Sequence, residues 1–387
     1  MDINIICAAY DTPEELKRKA DFVCDGKDAR PTLQEAVDKA YALDVSCMLL
    51  PGTYVINSHG ERSRRGGICF YNPGEPHKYC IQERVRYHIL EGTKTPIGYF
   101  GGAVITMGKE FYDSLPDNET FSLFYCDGNS MYGRAMNMRN LVVRLPANNK
   151  PVIVFDGRFA EAVQFENNWI TALQPDGIDF ATSEGIDVPH PASVGIRGSA
   201  GSNNAFTAWK NCVCLGFGVG FDIGGEHVYC ESLCAAYNIY GFRFDCYKGK
   251  HSIDGSDEEK AAGGCFYPIV CVNLCDEHNV HMPRFGNASH NGFTREIWSQ
   301  SITIRGMNIQ WPNSCPGYTD RTAPDFLDGR HRATEEQPGA WRGSVEYCID
   351  HTTPGSGVNL TDEPFFDEGH GTNVVTRSLH QKLNEDI

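Results

Sequence analysis

Apolar and polar positions recur along this chain with two different periods. Leu33, Ala36, Val37, Ala40 and Tyr41 fall at helical spacing and line one face. Thr32, with Glu35 three residues on, has the form of a capping box with Pro31 just outside it, so the pattern predicts a helix beginning at Thr32. A polar turn, Asp25-Gly26-Lys27-Asp28, precedes it, and a short apolar strand running into Leu50-Pro51-Gly52 follows. Such an amphipathic helix has to lie on an apolar surface.

Further along, one short pattern recurs: apolar, charged, turn-former, then apolar-rich. It is found in Met138-Arg139-Asn140-Leu141, Phe165-Glu166-Asn167-Asn168, Trp209-Lys210-Asn211-Cys212, Cys230-Glu231-Ser232-Leu233 and Ile304-Arg305-Gly306-Met307. The turn positions 140, 167, 211, 232 and 306 are separated by 27, 44, 21 and 74 residues. These spacings read as one, two, one and three repeats of about 21 to 27 residues, the length of one coil of a β-solenoid. A second strand follows most turns, in Val154-Phe155-Asp156, Gly195-Ile196-Arg197, Gly220-Phe221-Asp222 and Gly241-Phe242-Arg243. Stacking the repeats puts Asp156, Arg197, Asp222 and Arg243 in one outward column of alternating sign, with strands about 4.8 Å apart. That column is either a self-paired ladder or the lining of a binding groove.

Residues 20–56, with their turn, helix and Pro-Gly corner, resemble the N-terminal cap of pectate-lyase-like right-handed parallel β-helices. The resemblance covers these residues well and the middle of the chain by repeat pattern only. It implies an all-β chain, a right-handed single-stranded parallel β-helix with an N-terminal capping helix, because a solenoid exposes its core at each end. The expected organisation is a β-helix over 1–312, including the cap, and a C-terminal extension or cap over 313–387, where the repeat pattern fades after Trp311. The superfamily holds pectate lyases, polygalacturonase-like glycosidases, epimerases and phage tailspikes, so it implies carbohydrate chemistry without fixing a reaction. Trimers are common in several of these families, which makes a homotrimer the expected assembly.

Charge and cysteine content narrow the picture. A net charge of −16 speaks against nucleic acid as a partner. No apolar run approaches the length of a membrane span, so no membrane is expected, and the N-terminus lacks a basic stretch followed by an apolar core, which predicts a cytoplasmic protein. The 16 cysteines are read as reduced, with Cys212, Cys214, Cys230, Cys234 and Cys246 as small core hydrophobes. Cys212-Val213-Cys214 and Cys271 through Cys275, with His278 and His281, match no common zinc spacing, so no metal is expected. Arg62, Arg64 and Arg65 form a basic run that reads as a solvated loop.

The densest chemistry lies in Phe221 to Glu231, which joins two successive repeats. Glycosidic cleavage needs two carboxyl groups, one protonated and one ionised. Asp222, Glu226 and Asp245 are the candidate catalytic carboxyls, with Glu231 also able to supply one. Arg197, His227, Glu231, Arg243, Lys248, His281 and Arg284 are the candidate substrate-binding residues, the last two from a His- and Asn-rich loop over 279–291. Asp176, Asp179, Glu184, Asp187 and His190 form either a plain acidic turn or a calcium loop. Trp209 and Trp311 are candidate stacking platforms, although Trp209 could equally pack against a neighbouring loop. The leading expectation is a glycoside hydrolase or transglycosidase acting on an oligosaccharide or polysaccharide without a cofactor. The alternatives are a polysaccharide lyase, with Arg243 or Lys248 as base and calcium as cofactor, and a non-enzymatic glycan-binding or tailspike-like β-helix.

Overall fold

The computed structural model describes residues 4–70, 87–94, 101–126, 135–158, 160, 162–173, 186–198, 207–224, 227–244, 269–277, 279, 284–285, 301–310, 342–350 and 376–378. The amphipathic segment forms a helix over Arg30–Leu43, two residues earlier than the capping box predicts. Ala29 is its N-cap, and Pro31 lies inside the first turn, where its missing N–H removes no helical hydrogen bond. The upstream Asp28 takes the role expected of Thr32. Its carboxylate accepts the backbone N–H of Arg30 at 3.1 Å and that of Asn57 at 2.8 Å, tying the helix start to the first coil. The helix ends on Asp44 in the left-handed region, φ 59°. All five residues of its apolar face are buried, packed against the strands Ile5–Ala8, Gly66–Phe70 and Tyr87–Gly92. The helix thereby closes the open end of the coil.

Two sheets follow, of 18 and 7 strands, with parallel pairing throughout. The larger consists of two stacks, the first and second sheets of the coil, and the smaller is the third. Ala135–Arg139, Ala162–Glu166, Thr207–Lys210, Val228–Glu231 and the front of Ile269–Glu277 succeed one another in the first. Leu141–Arg144, Trp169–Thr171, Val213–Leu215, Cys234–Ala236 and the rear of Ile269–Glu277 do so in the second. The 7-stranded third sheet stacks Gly66–Phe70, Phe121–Cys126, Val152–Asp156, Val194–Arg197, Val219–Asp222, Tyr240–Phe244 and Arg284–Phe285. Each circuit of the chain gives one strand to each stack, which is a parallel β-helix. Crossovers between parallel strands are nearly always right-handed, the sense expected for the coil. The first stack continues through Ser301–Gln310 to Arg342–Asp350 and Thr376–Ser378, all paired in parallel.

The corner between the first and second stacks explains the recurring turn-former. Asn140, Asn167, Asn211, Ser232 and Asn273 all have φ between 51° and 57°, a conformation that asparagine tolerates better than most residues. Their side chains bond along the axis: Asn167 Nδ2 donates to Asn140 Oδ1 at 3.2 Å, Asn211 Nδ2 to Asn167 Oδ1 at 3.2 Å, and Asn273 Nδ2 to Ser232 Oγ at 3.1 Å. The rung count differs from the sequence expectation. Ala162–Glu166 pairs directly with Thr207–Lys210, so 167 to 211 is one rung rather than two. From Ser232 to Gly306 there are two rungs rather than three, through Asn273, which the repeat pattern did not reveal.

A file of rings runs up the interior. Phe70, Phe124, Phe155, Phe165, Trp209, Phe221 and Phe242 follow one another with centroids 5.3 to 6.4 Å apart, the spacing at which aromatic pairs attract. Trp209 is fully buried in this file, between Phe165 and Phe221. It is therefore core, and neither a stacking platform nor packing for an outer loop. Cys212, Cys214 and Cys230 are buried as expected, whereas Cys234 is half-buried on the outward side of the second sheet. Cys246 and Trp311 lie outside the described residues.

Candidate functional site: the outward faces of the first and third sheets

The charged column assembles in the predicted register. Asp156 lies opposite Arg197, Arg197 opposite Asp222, Asp222 opposite Arg243, and Arg243 opposite Arg284. Asp222 is held from both sides: Arg197 Nε donates to Oδ2 at 2.8 Å, while Arg243 donates through Nε to Oδ1 at 2.9 Å and through Nη2 to Oδ2 at 2.6 Å. Asp156 accepts from Ser122 Oγ at 2.6 Å and from Arg158 Nε at 2.8 Å. The column is buried rather than solvated, with Asp156, Arg158, Arg197 and Asp222 each at most 5% exposed. Burial pushes the Asp222 carboxyl up, but Arg243 and Arg197 outweigh it and hold the group below the usual carboxylate range. Asp156 follows the same balance with Arg158 as its main cation. With every oxygen engaged and the charge held, Asp222 has no proton to donate.

The first sheet presents a different outward face. Arg139, Glu166, Lys210 and Glu231 are successive register partners and alternate in sign. Arg139 lies 3.8 Å from Glu166, and Lys210 lies 3.5 Å from Glu231. Two residues nearer the strand starts runs a parallel file of Asn137, Gln164, Ala208 and Tyr229. Asn137 Nδ2 donates to Gln164 Oε1 at 3.0 Å. The Tyr229 hydroxyl donates to Glu231 at 3.2 Å, and the Lys210 ammonium sits 5.3 Å from the centre of the Tyr229 ring. Among the described residues, Tyr229 is one of the few large apolar side chains that stay exposed. Ala208, half-buried and the smallest side chain of this file, separates Gln164 from Tyr229, with amide, cationic and anionic groups close by.

The two faces meet at the corner joining Val219–Asp222 to Val228–Glu231. His227, at φ 55° and exposed, sits at this corner. Glu231 belongs to the exposed face, and Arg197 and Arg243 to the ionic column. Arg284 is placed by its backbone at the end of that column. Glu226, Asp245, Lys248 and His281 lie outside the described residues, as do His278, Asp176, Asp179 and Glu184. Of the acidic loop, Asp187 is exposed, its carbonyl accepting from Asn148 Nδ2, and His190 Nδ1 accepts the Ala192 N–H at 3.2 Å. Arg62 and Arg64 are exposed, and Arg65 pairs with Glu119 at 3.0 Å.

One ionisable group had no signal in the sequence. Asp276 is buried in the register of the core residue Ala235. Its carboxylate accepts from Asn279 Nδ2, and Asn279 Oδ1 accepts from Asn238 N at 2.8 Å. Burial pushes the Asp276 carboxyl up to about 8, with Glu277 adding to the shift and Asn279 opposing it. Its position could have been found by aligning Cys275 with Cys234.

Fold and faces define the chain as a parallel β-helix with a buried ionic column and a polar file that runs from buried Asn137 to the exposed ring of Tyr229. No protein-family model matches it, and no curated protein sequence matches it. Among solved structures it is similar to the A-module of a mannuronan C-5 epimerase from Azotobacter vinelandii, with a TM-score of 0.43 and 12% identity over 84% of this chain and 71% of that one. It is also similar to the pre-mature gene product 12 of bacteriophage phi29, with a TM-score of 0.39 and 13% identity over 82% of this chain and 40% of that one. What the chain binds has to be read from its own residues.

Proposed function

We propose that the chain acts on glycans, as a glycoside hydrolase or transglycosidase whose sugar site lies along the file from Gln164 over Ala208 to Tyr229 on the first sheet. The observation that carries this reading is the exposed Tyr229 ring beside Lys210 and Glu231, two rungs from Gln164. A sugar ring offers an apolar face and a rim of hydroxyls. An aromatic side chain suits the first, and amide, carboxylate and ammonium groups suit the second.

The carboxyl pair needed for glycosyl transfer falls to Glu231 and to Glu226, which immediately precedes His227 in the sequence. Asp222 serves as an anchor for that corner, because its ion pairs leave it no role as acid. Arg243 is committed to Asp222, which weakens the lyase reading. The non-enzymatic glycan-binding reading has one observation in its favour: Glu166, Glu231 and Asp222 all have cationic partners. Titrating oligosaccharides into wild-type protein and Tyr229→Ala tests the shared part of both readings. Saturable binding that the substitution weakens about tenfold or more, worth the 1 to 3 kcal/mol of an aromatic stacking contact, supports the site. Binding unchanged by the substitution removes it.

A further inference from the structure

The outward side of the second sheet carries a cluster that the glycan reading does not use. Cys234 and Cys275 are register partners on adjacent strands, and Glu277 lies two residues beyond Cys275, on the same side of its strand. The two Sγ atoms and a Glu277 carboxylate oxygen lie within 4.8 Å of one another, and Cys275 Sγ donates to Glu277 Oε1 at 2.7 Å. All three residues are half-buried. Among the described residues no other group of three such side chains is gathered this closely.

The neighbouring cysteines do not belong to the cluster. Cys214 is a register partner of Ala235 and points into the core. Cys271 precedes the Asn273 corner, pairs with Cys230 in the first sheet and is buried there. The corner thus separates Cys271 from Cys275, so the local Cys271–Cys275 spacing has no bearing on a site, whereas Cys234 and Cys275, 41 residues apart, meet. Below them in the same file lie Val213 and Trp169, and beside them the apolar cluster of Leu173, Leu215 and Ala236.

We infer that Cys234, Cys275 and Glu277 form a binding site for a thiophilic divalent cation, of which zinc is the best fit. Two thiolates and a carboxylate are a borderline-soft donor set that favours zinc over calcium or magnesium. Tetrahedral zinc with Zn–S bonds of about 2.3 Å places its sulfurs about 3.8 Å apart, a spacing reached by rotamer adjustment alone. The rigid stack presets both cysteines, and the apolar neighbours limit access of water to the sulfurs. Binding exchanges two thiol protons for one cation, so each zinc releases two protons while Glu277 binds as the carboxylate. The fourth position is open to water, the arrangement of a site that can exchange ligands.

Titration of reduced full-length protein with Co2+ and then Zn2+ tests this assignment. The expected result is a near-ultraviolet thiolate-to-cobalt band that saturates at one equivalent and is bleached by zinc, with about two protons released per zinc. Cys234→Ser combined with Cys275→Ser should abolish the band with far-ultraviolet circular dichroism unchanged, and Glu277→Gln should weaken zinc by about tenfold or more. No cobalt–thiolate band in wild-type protein overturns the site without recourse to a variant. A band that persists in the folded double variant overturns the residue assignment. Loss of two titratable thiols on mild oxidation, with no metal uptake by the reduced form, identifies the pair as a redox couple and likewise overturns it.

Discussion

Arg197 Nε donates to Asp222 Oδ2 at 2.8 Å across one step of the third sheet, with both side chains almost fully buried, at 6% and 4% exposed. The same carboxylate receives Arg243 from the next step. Two cations share one buried anion, and removing it takes from each arginine a desolvated ionic partner. The relationship fixes the corner that carries His227 and leads into Tyr229.

Asp222→Asn should therefore cost about 3 kcal/mol of unfolding free energy at neutral pH, measured by chemical denaturation. The folded-state pKa of Asp222 is depressed, so its contribution is present above the unfolded value of about 3.9 and is lost as pH falls through the folded value. Wild-type protein should lose more stability on acidification below about pH 4 than the variant does. A cost under about 1 kcal/mol, with no change in acid sensitivity, would show the column to be energetically idle.

Asp276 makes the opposite prediction. Its folded pKa is raised to about 8, so the folded state holds a proton that the unfolded chain releases above about pH 4. Stability falls as pH rises from there to about 8, and this term is flat beyond. Asp276→Asn keeps an oxygen to accept from Asn279 and removes the titration. It should be more stable than wild type at pH 8 by about 5 kcal/mol, and the two should converge near pH 4. Equal stability across the range would place the ionised carboxylate comfortably in the fold.

How much of this was legible in the sequence follows from which signals were local. The helix face from Leu33 to Tyr41 and the register of Asp156, Arg197, Asp222 and Arg243 could be read, because each apolar residue of the repeating pair, such as Phe221, fixes the side on which its charged neighbour emerges. The helix start was misplaced because Asp28 caps it from outside the expected box. The Asn273 corner was hidden inside an unbroken strand, Ile269–Glu277, whose turn residue sits between Val272 and Leu274 with no glycine or proline nearby. Asp276 and the Cys234–Cys275 pair depend on that corner, since it sets which side of the second sheet each residue faces. Trp209 was ambiguous because large rings occur both in solenoid cores and on sugar-binding faces.

The corner ladder can be tested at Asn211. Its φ of 51° suits glycine sterically, while its amide bonds to Asn167 are lost in any substitution. Asn211→Ala combines strain of about 1 kcal/mol or more with the lost bond. Asn211→Gly loses the bond without that strain, and should be the more stable of the two in thermal melts. Alanine matching glycine would mean that the backbone relaxes out of the left-handed region.

Trp209→Ala removes the middle of the aromatic file and should destabilise by about 3 to 5 kcal/mol, read by chemical denaturation. A normal unfolding midpoint with weakened oligosaccharide binding would return Trp209 to the surface.

The central claim, that Glu226, Tyr229 and Glu231 serve glycosyl transfer, is tested most directly by mass spectrometry. Purified protein is incubated with a panel of neutral and uronic-acid oligosaccharides in heavy-oxygen water, alongside Glu226→Gln and Tyr229→Ala. The account predicts a cleaved product carrying one solvent oxygen, or a lengthened product of transfer, with turnover lowered by about 100-fold or more in Glu226→Gln and the fold intact. A product of unsaturated mass, or a panel left wholly uncut by protein that binds it, would contradict the hydrolytic claim and leave a lyase or a glycan-binding solenoid in its place.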